Sequence, residues 1–422
     1  MIELKDLTEK ERINISIQCE PFFLVSNKTK VFTSVYNELM KHFSKKYSKE
    51  VWLVVTALVK ATKYGNKGTR FSLSKQNYVV ANRVHKQKLS LDRVRHVIET
   101  LDKEGFVTYY KGFRFSSEIN MTTCLMMRSK FSDLLDANLA KKFGMKRDPL
   151  GYIEVKDKDD KRVLLSIKDF RGYSTLTKFM DKYNTLLSKN IIMMPDEDTG
   201  EMLKCSTVYK RVFSGDLDSA GRFYEMGNFQ VMKSKYRKFM TINGEGVSEV
   251  DYSNLHPRML YTLEGVVLED TWDAYDITEL QWVCDNKKDL RTFLKSAYLA
   301  ILFSKDIEEA TSSVLQKANK DKSVYINTGV LARKVVDAVL NKNKVIQHYF
   351  FEERLWAKLQ NMDSRLATHV IDWFTKKDIV CLGWHDSFCV PDYCRVELIE
   401  AMKKAWYGLF GSYNNFKCEV EF

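Results

Sequence analysis

The stretch VSEVDYSNLHPRMLY, residues 247 to 261, decides how the rest of this chain is interpreted. Two valines lead into Asp251 after an Asn-Gly-Glu-Gly turn, and Leu255, Met259 and Leu260 then recur at helical spacing. This pattern predicts that Asp251 lies where a strand passes into a helix. A strand end holds the backbone still, so that a carboxylate and nearby carbonyl oxygens can face a hard cation. A helix-capping role for Asp251 is the alternative.

A second carboxylate, Asp386, lies far downstream. Short apolar runs on both sides of His385-Asp386-Ser387 predict a β-hairpin with Asp386 at its turn. Two carboxylates on adjacent strand ends can hold a pair of Mg²⁺ ions roughly 4 Å apart, which is what nucleotidyl transfer requires. For Asp386 taken alone, an ordinary polar turn is the alternative.

A candidate helix, RTFLKSAYLAILF at residues 291 to 303, lies between the two carboxylates. Every fourth position of this run shares one helix face. The residues on that face are Arg291, Lys295, Leu299 and Phe303. Further upstream, DSAGRFY at residues 218 to 224 contains Arg222. A solvated helix face would explain Arg291 and Lys295 equally, and Arg222 would fit an ordinary surface arginine.

Taken in order along the C-terminal half, these motifs resemble those of the right-handed polymerases that include family A DNA polymerases and single-subunit phage RNA polymerases. DYSNLHPR, residues 251 to 258, resembles their motif A, and the tip at residues 385 to 387 resembles their motif C. The resemblance implies that Asp251, Asp386 and the Tyr252 carbonyl hold two Mg²⁺ ions, with Mn²⁺ as an alternative metal.

The same resemblance implies roles toward nucleotide and DNA. The expected catalytic residues are Asp251, Asp386, Lys295 and Arg291. The expected nucleotide-binding residues are Arg291, Lys295, Leu299, Phe303, His256 and Tyr252. The expected primer-template contacts are Arg222, His385 and Gln360. Lys295 and Arg291 would neutralise the triphosphate, and Lys295 could also protonate the pyrophosphate leaving group. Plain structural roles remain open for His385 as a hydrogen-bonded turn residue and for Gln360 as a surface glutamine.

Departures from the family pattern bear on which sugar is used. Family A DNA polymerases usually carry Glu where this chain has His256, whereas RNA polymerases carry a small residue there. Leu299 and the run HDSF at residues 385 to 388 are closer to the RNA enzymes. The Asp-Tyr-Ser start, Arg258 and the short interval before Asp251 are closer to DNA polymerases. We predict a DNA-dependent DNA polymerase; a single-subunit RNA polymerase or primase, and a catalytically inactive DNA-binding regulator, are the alternatives.

Positive charge is concentrated in the N-terminal part of the chain. Residues 41 to 115 contain 17 Lys and Arg against 5 Asp and Glu, a difference that equals the whole-chain excess of +12. Nearly all the net attraction for polyanions therefore belongs to this part.

Three helical patterns and a basic hairpin in this part indicate a winged helix. The helices are predicted at residues 51–61, 73–82 and 91–104, with Ser90 as N-cap of the third, and the hairpin at 106–115 turns around Lys111-Gly112. In such a fold the third helix enters a DNA groove and the hairpin touches phosphate. The expected contacts are Lys88, Arg93, Arg95, Lys111 and Arg114. Protein contacts through the same fold are the alternative.

The whole pattern predicts an α+β protein, with a right-hand polymerase palm, helical fingers and thumb, and the N-terminal winged-helix domain. We predict an N-terminal segment at residues 1–30, the winged-helix domain at 31–118, a mostly helical thumb-like or connecting region at 119–215, and palm and fingers at 216–422. Later helices are expected at 330–340, 345–372 and 397–409, with a last strand at 416–422. No separate carboxylate cluster stands out, so 3′–5′ exonuclease activity is not expected.

Composition places the chain among soluble intracellular proteins. It has 422 residues, 45% of them hydrophobic, without a long apolar run or a signal-peptide pattern. Eight cysteines without a Cys-x-x-Cys pair predict reduced thiols in the cytoplasm rather than a zinc site. The expected partners are template and primer DNA and nucleoside triphosphates, with no membrane; the oligomeric state stays open. The resemblance suggests a phage or another mobile element as the setting.

Overall fold

A computed structural model describes residues 1–8, 11–12, 15, 19–20, 30–73, 75, 78, 82, 88–114, 120–143, 147, 149–159, 164–195, 199–205, 207–226, 230 and 234–422. Across these ranges the protein is a mixed α+β structure with several small sheets and many helices, as predicted. None of the helices described there is long and apolar enough to cross a membrane. The helix predicted at 73–82 falls mostly outside the described residues.

Helices and strands are mixed along the chain. The α-helices are α1 (Thr33–Met40), α2 (Ser48–Lys63), α3 (Leu91–Lys103), α4 (Ser129–Ser132), α5 (Ala137–Phe143), α6 (Tyr173–Lys189), α7 (Ser234–Arg237), α8 (Leu255–Leu263), α9 (Lys287–Leu302), α10 (Ile307–Ala318), α11 (Gly329–Lys342), α12 (Leu355–Thr375) and α13 (Arg395–Phe410). The strands are β1 (Ile2–Glu3), β2 (Cys19–Glu20), β3 (Gly68–Phe71), β4 (Val107–Lys111), β5 (Phe113–Arg114), β6 (Asn120–Met121), β7 (Thr123–Met127), β8 (Ile153–Lys156), β9 (Leu164–Leu165), β10 (Ile192–Pro195), β11 (Met202–Lys204), β12 (Tyr209–Ser214), β13 (Asp216–Glu225), β14 (Thr241–Ile242), β15 (Val247–Tyr252), β16 (Leu382–Trp384), β17 (Ser387–Pro391) and β18 (Cys418–Val420).

One hydrophobic core lies in the N-terminal part and draws on residues from Phe32 to Ala140. Its central helix, α2, is buried on nearly all sides because the run at residues 52–59 is almost entirely apolar. The adjoining sheet has the strand order β1-β4-β7-β3-β2. α3 begins after Ser90, whose hydroxyl accepts a hydrogen bond from the Arg93 N–H at 3.5 Å, which confirms the predicted N-cap.

The predicted hairpin around Lys111-Gly112 is wrong in its pairing. β4 pairs with β7, with Tyr110 opposite Cys124, and β5 pairs with β6 beyond them. The chain does not reverse at Gly112, because the Gly112 N–H donates to the Thr123 hydroxyl at 3.0 Å and continues the pairing of the two arms. The glycine therefore lies within an arm of a longer hairpin, and its position in the sequence was a misleading turn signal.

The region from Met121 to Asp216, predicted to be mostly helical, is rich in strands. It contains α4, α5 and α6 together with β7 to β12. Between residues 164 and 194, where long thumb-like helices are expected, α6 is the one α-helix that the described residues form. Four of these strands, β8 to β11, have only two to four residues, which is too short for alternation to be told from a loop pattern. The pairing of β12 with β8 is also non-local and parallel, with β13 on the other side of β12.

A second core extends from Tyr152 to Trp406 and surrounds the sheet β16-β17-β15-β18, whose neighbouring strands are all antiparallel. Most of the predicted elements of this part are confirmed, namely the strand-to-helix turn after residue 251, the hairpin, and the helices α9, α11 and α13. The helical stretch predicted at 345–372 is interrupted, because a 3₁₀ turn at Lys344–Tyr349 ends before α12 begins. The last strand, β18, is shorter than predicted.

Candidate active site

Asp251 lies next to the end of β15. Strand alternation places Val250 and Tyr252 in the core and Glu249 and Asp251 on the opposite face, which lines a cleft of about 510 Å³. The N-cap of α8 is Asn254, so the helix-capping alternative for Asp251 is wrong. The Tyr252 phenol is buried and donates to the Met402 carbonyl at 2.8 Å, which leaves the Tyr252 backbone as the part able to meet a ligand.

Asp386 is held beside Asp251 by the sheet. The hairpin tip consists of His385 and Asp386, and Ser387 is already the first residue of β17. Ser387 lies opposite Asp251 in the register, and the Tyr252 N–H donates to the Asp386 carbonyl at 3.1 Å. Both aspartates line the same cleft. Two residues far apart in sequence therefore occupy neighbouring positions at one end of one sheet.

The environment of Asp251 disfavours its negative charge. Burial first, and then the negative charge of Asp386, raise the pKa of Asp251 to about 8, while the charge of Lys295 opposes them. The Asp251 Oδ1 atom is buried and has no hydrogen-bond partner. A buried carboxylate oxygen without a partner, in a cleft that a second carboxylate also lines, is suited to bind a cation.

The donor set fits Mg²⁺. Carboxylate oxygens are the ligands that this ion takes, and Mg²⁺ usually combines one or two of them with water and substrate oxygens. Among the described residues, no three His, Cys, Asp or Glu side chains form a ready-made metal cage. Asp251 and Asp386 would therefore supply the protein carboxylates, and the remaining ligands would come from the Tyr252 carbonyl, water and substrate.

Helix α9 brings positive charge to the site. Lys295 is exposed and lines the cleft with the two aspartates. Arg291, one turn nearer the helix N-terminus, forms an ion pair with Asp273 at 2.6 Å and lies over the ring of Tyr275. The same helix face becomes half-buried further along, where Leu299 and Phe303 pack against the core. The predicted face is therefore one surface in space, with cations at one end and apolar side chains at the other.

Arg222 links Asp363 and His256 through hydrogen bonds. The Arg222 guanidinium donates to Asp363 on α12 at 2.6 Å, and its Nη2 atom lies 3.4 Å from the His256 Nε2 atom. The His256 ring also makes an edge contact with Phe303, with ring centres 6.1 Å apart. The interpretation of Arg222 as an ordinary surface arginine is wrong, because its side chain is mostly buried and its partner Asp363 is almost fully buried.

His385 sits at the hairpin tip in a left-handed backbone conformation, with φ of 64°. Its ring makes an edge contact with Tyr224 of β13, with ring centres 5.6 Å apart, and its Nδ1 atom is buried without a partner. Burial and the charge of Arg222 lower the pKa of His385 to about 4, although Asp386 acts in the opposite direction. Gln360 is half-buried on α12, three residues before Asp363.

Several residues that line the cleft were not predicted from the sequence. Glu249 accepts hydrogen bonds from Arg237 and from the Ser387 hydroxyl, and its Oε2 atom is buried without a partner. Glu249 precedes Asp251 by two residues, so strand alternation would have placed both on one face. The charge run KSKYRK at residues 233 to 238 was the signal for the basic wall of the cleft, which includes Lys235, Arg237 and Lys238.

The predicted N-terminal contacts are scattered over α3 and the sheet beside it. Lys88, Arg93, Arg95 and Lys111 are all exposed. Arg93 donates to the Lys46 carbonyl at 3.3 Å, and Lys111 pairs with Glu3 at 3.0 Å. Exposed pairs of this kind are weak and leave both cations open to a competing phosphate. Arg114 belongs to β5, and its side chain lies outside what the structure describes.

Distant similarity links the chain to solved structures. No protein-family model matches the chain, and no curated protein matches it. Among solved structures, the chain is similar to the POL domain of Pol1 from M. smegmatis in complex with DNA primer-template and dNTP. The match has 10% sequence identity and a TM-score of 0.36, and it covers 96% of this chain and 67% of that chain. A similarity this distant supports no conclusion on fold or function. The function of the protein is therefore inferred from its site.

Proposed function

We propose that this protein is a template-directed nucleotidyltransferase that acts as a DNA-dependent DNA polymerase. The observation that carries the proposal is the pairing of Asp251 and Asp386 at one end of a four-stranded sheet, in a cleft that also receives Lys295. A buried carboxylate oxygen without a partner, beside a second carboxylate, is costly for the fold unless a cation binds there. They are suited to hold divalent cations against a phosphate substrate.

In the proposed reaction, the 3′-hydroxyl of a primer loses its proton to water, its oxygen forms a bond to the α-phosphorus of a nucleoside triphosphate, and the bond from that phosphorus to the pyrophosphate breaks. Bound Mg²⁺ would supply Lewis-acid stabilisation of the attacking and leaving oxygens. Lys295 neutralises negative charge on the triphosphate and gives a proton to the leaving pyrophosphate. Arg291 exchanges its contact with Asp273 for a phosphate contact.

The surrounding residues position the substrates in this proposal. Leu299, Phe303 and His256 border the sugar and base of the incoming nucleotide. His385, Arg222 and Gln360 lie on the primer-template side. Residues 216–422 form palm and fingers, residues 119–215 connect to them, and residues 31–118 form a winged-helix module. The exposed cations of α3 and its neighbours hold DNA through phosphate contacts.

The test is extension of a labelled primer on a DNA template with Mg²⁺, with dNTPs and NTPs offered separately. We expect extension with dNTPs and loss of at least about 10³-fold in rate for Asp386→Asn, because the variant removes a charge that holds the metal. Asp337→Asn is the matched control, since Asp337 is an exposed aspartate on α11. Labelled primer ends should survive without nucleotides, as expected for an enzyme that lacks a 3′–5′ exonuclease.

The same assay separates the alternatives. Extension with NTPs alone, or synthesis without a primer, would indicate an RNA polymerase or primase. Binding of DNA without incorporation of either nucleotide class would indicate a non-catalytic DNA-binding regulator. Equal activity of the Asp386→Asn variant and the wild type would show that the paired carboxylates are not the catalytic centre.

A further inference from the structure

Asp363 is a buried acidic residue that takes no part in the proposed reaction. It lies on the face of α12 that packs on β13, and its side chain is 2% exposed. Neighbouring contacts lock the two elements together, because Ser364 and Asn361 both donate to the Ala220 carbonyl at 3.2 Å. An aspartate in such an interface is costly unless it is paired, and its partner here is Arg222.

Arg222 is held by Asp363 in a defined orientation. Both its Nε and its Nη2 atoms lie 2.6 Å from the same carboxylate oxygen of Asp363. This leaves Nη2 also directed at His256, 3.4 Å away. Because a guanidinium has only donors, the His256 Nε2 atom must accept this hydrogen bond. The neutral imidazole therefore carries its proton on Nδ1.

The orientation of the His256 ring is thereby set from outside the nucleotide site. Its Nε2 atom is used by Arg222, and its edge is packed against Phe303 at the end of α9. Loss of the Asp363 charge would free Arg222 to turn away, and the ring could then rotate or change its tautomer. A ring in one fixed orientation can exclude or bind a sugar hydroxyl selectively, whereas a rotating ring cannot.

We propose that Asp363 is a positioning residue for sugar selection, which acts through Arg222 to fix the ring orientation and tautomer of His256. The inference rests on the proposed polymerase function. Asp363 acts from α12 without contact to nucleotide or metal. Its effect should appear in the choice between dNTP and NTP rather than in the rate with the preferred nucleotide alone.

The experiment compares kcat/KM for dNTPs and NTPs in the full-length protein. For Asp363→Asn, which keeps the shape and removes the charge, we expect the ratio between the two nucleotide classes to fall about tenfold. In a His256→Ala background, the same substitution should leave the ratio unchanged, because the group on which Asp363 acts is absent. Ser364→Ala is the matched control, since it disturbs the same helix-strand contact without touching Arg222, and its ratio should equal that of the wild type.

A second readout does not depend on activity. In spectra of protein with ¹⁵N-labelled histidine, the His256 signal, identified by its absence in His256→Ala, should show a proton on Nδ1 in the wild type. Asp363→Asn should lose this single-tautomer signature, and Ser364→Ala should keep it. An unchanged nucleotide ratio in Asp363→Asn, or a wild-type His256 proton on Nε2, would overturn the inference alone. A wild type that extends primers with neither nucleotide class would overturn the proposed function and this inference with it.

Discussion

His256 is buried in the first turn of α8, where burial and the charge of Arg222 lower its pKa from the ordinary value of 6.5 to about 3. In the unfolded chain the ring takes up a proton as the pH falls below about 6.5, whereas in the folded protein it stays neutral. The folded state therefore binds fewer protons, and the contribution of His256 to stability is lost as the pH falls from about 6.5 toward 3.

We therefore predict that His256→Gln reduces the acid sensitivity of the protein. Between pH 7 and pH 5, the free energy of unfolding of the wild type should fall by on the order of 2 kcal/mol more than that of the variant. Chemical denaturation in metal-free buffer at several pH values measures this difference. His369→Gln is the control, because His369 is exposed on α12; parallel curves for wild type and His256→Gln would contradict the assignment of a buried neutral ring.

Asp251 illustrates how much of a single residue could be predicted. Its place at a strand end follows from local pattern, because the valines before it and the helical spacing after it meet at that point. Its raised pKa could not be predicted, because it comes from burial and from Asp386, a residue far away in sequence. The burial of Arg222 was likewise unpredictable. Its partner Asp363 lies on α12, far away in sequence, and the two form a buried ion pair.

At the scale of elements, the hairpin β16–β17 is the part most constrained by backbone geometry. Its tip residue His385 has a φ of 64°, a region that β-branched side chains strongly avoid and that asparagine tolerates. The turn must nevertheless be this tight, because it sets Asp386 beside Asp251.

We predict that His385→Val lowers the free energy of unfolding by about 1–2 kcal/mol relative to His385→Asn. Both substitutions remove the imidazole, so the comparison isolates the backbone cost at the tip. Urea denaturation of the two variants provides the measurement. Equal midpoints would mean that the tip does not hold its left-handed conformation in solution.

Elements with a local signal were predictable, and elements defined by their partners were not. α9, α11 and α13 followed from apolar periodicity, and α3 from its N-cap serine. β12 and β13 were not predicted, although they form the longest hairpin pairing of their sheet. Neither strand has a long run in which apolar and polar residues alternate. Gly112 led to the opposite error, a predicted turn where there is none. A glycine inside a strand pairing cannot be told from a turn glycine by sequence.

At the scale of the whole molecule, charge is divided unevenly between the two cores. The N-terminal part carries the entire excess of +12, while the remainder is balanced. Affinity for DNA through counterion release should therefore depend on the N-terminal module more than on the cleft.

We predict that the triple substitution of Lys88, Arg93 and Arg95 by Ala weakens DNA binding and reduces the slope of log K against log salt by about 2–3. The control is the triple substitution of Lys376, Lys403 and Lys404 by Ala, three exposed lysines on or beside α12 and α13. Titration of labelled duplex at several salt concentrations measures both slopes. Equal slopes in the two triple variants would place the DNA-binding surface elsewhere.

The sequence by itself determined the local features of this protein: the strand that precedes α8, the hairpin tip, the helix α9 with its cationic face, and the N-terminal excess of charge. Each depends on residues within a few turns of one another, so periodicity and composition are sufficient to predict it. Only the tertiary structure decided which of these features meet. The approach of Asp386 to Asp251, the burial of Arg222 against Asp363, and the contact between His256 and Phe303 all join distant residues. Such contacts follow from strand register and helix packing, which depend on the whole chain and leave no signature within any one segment.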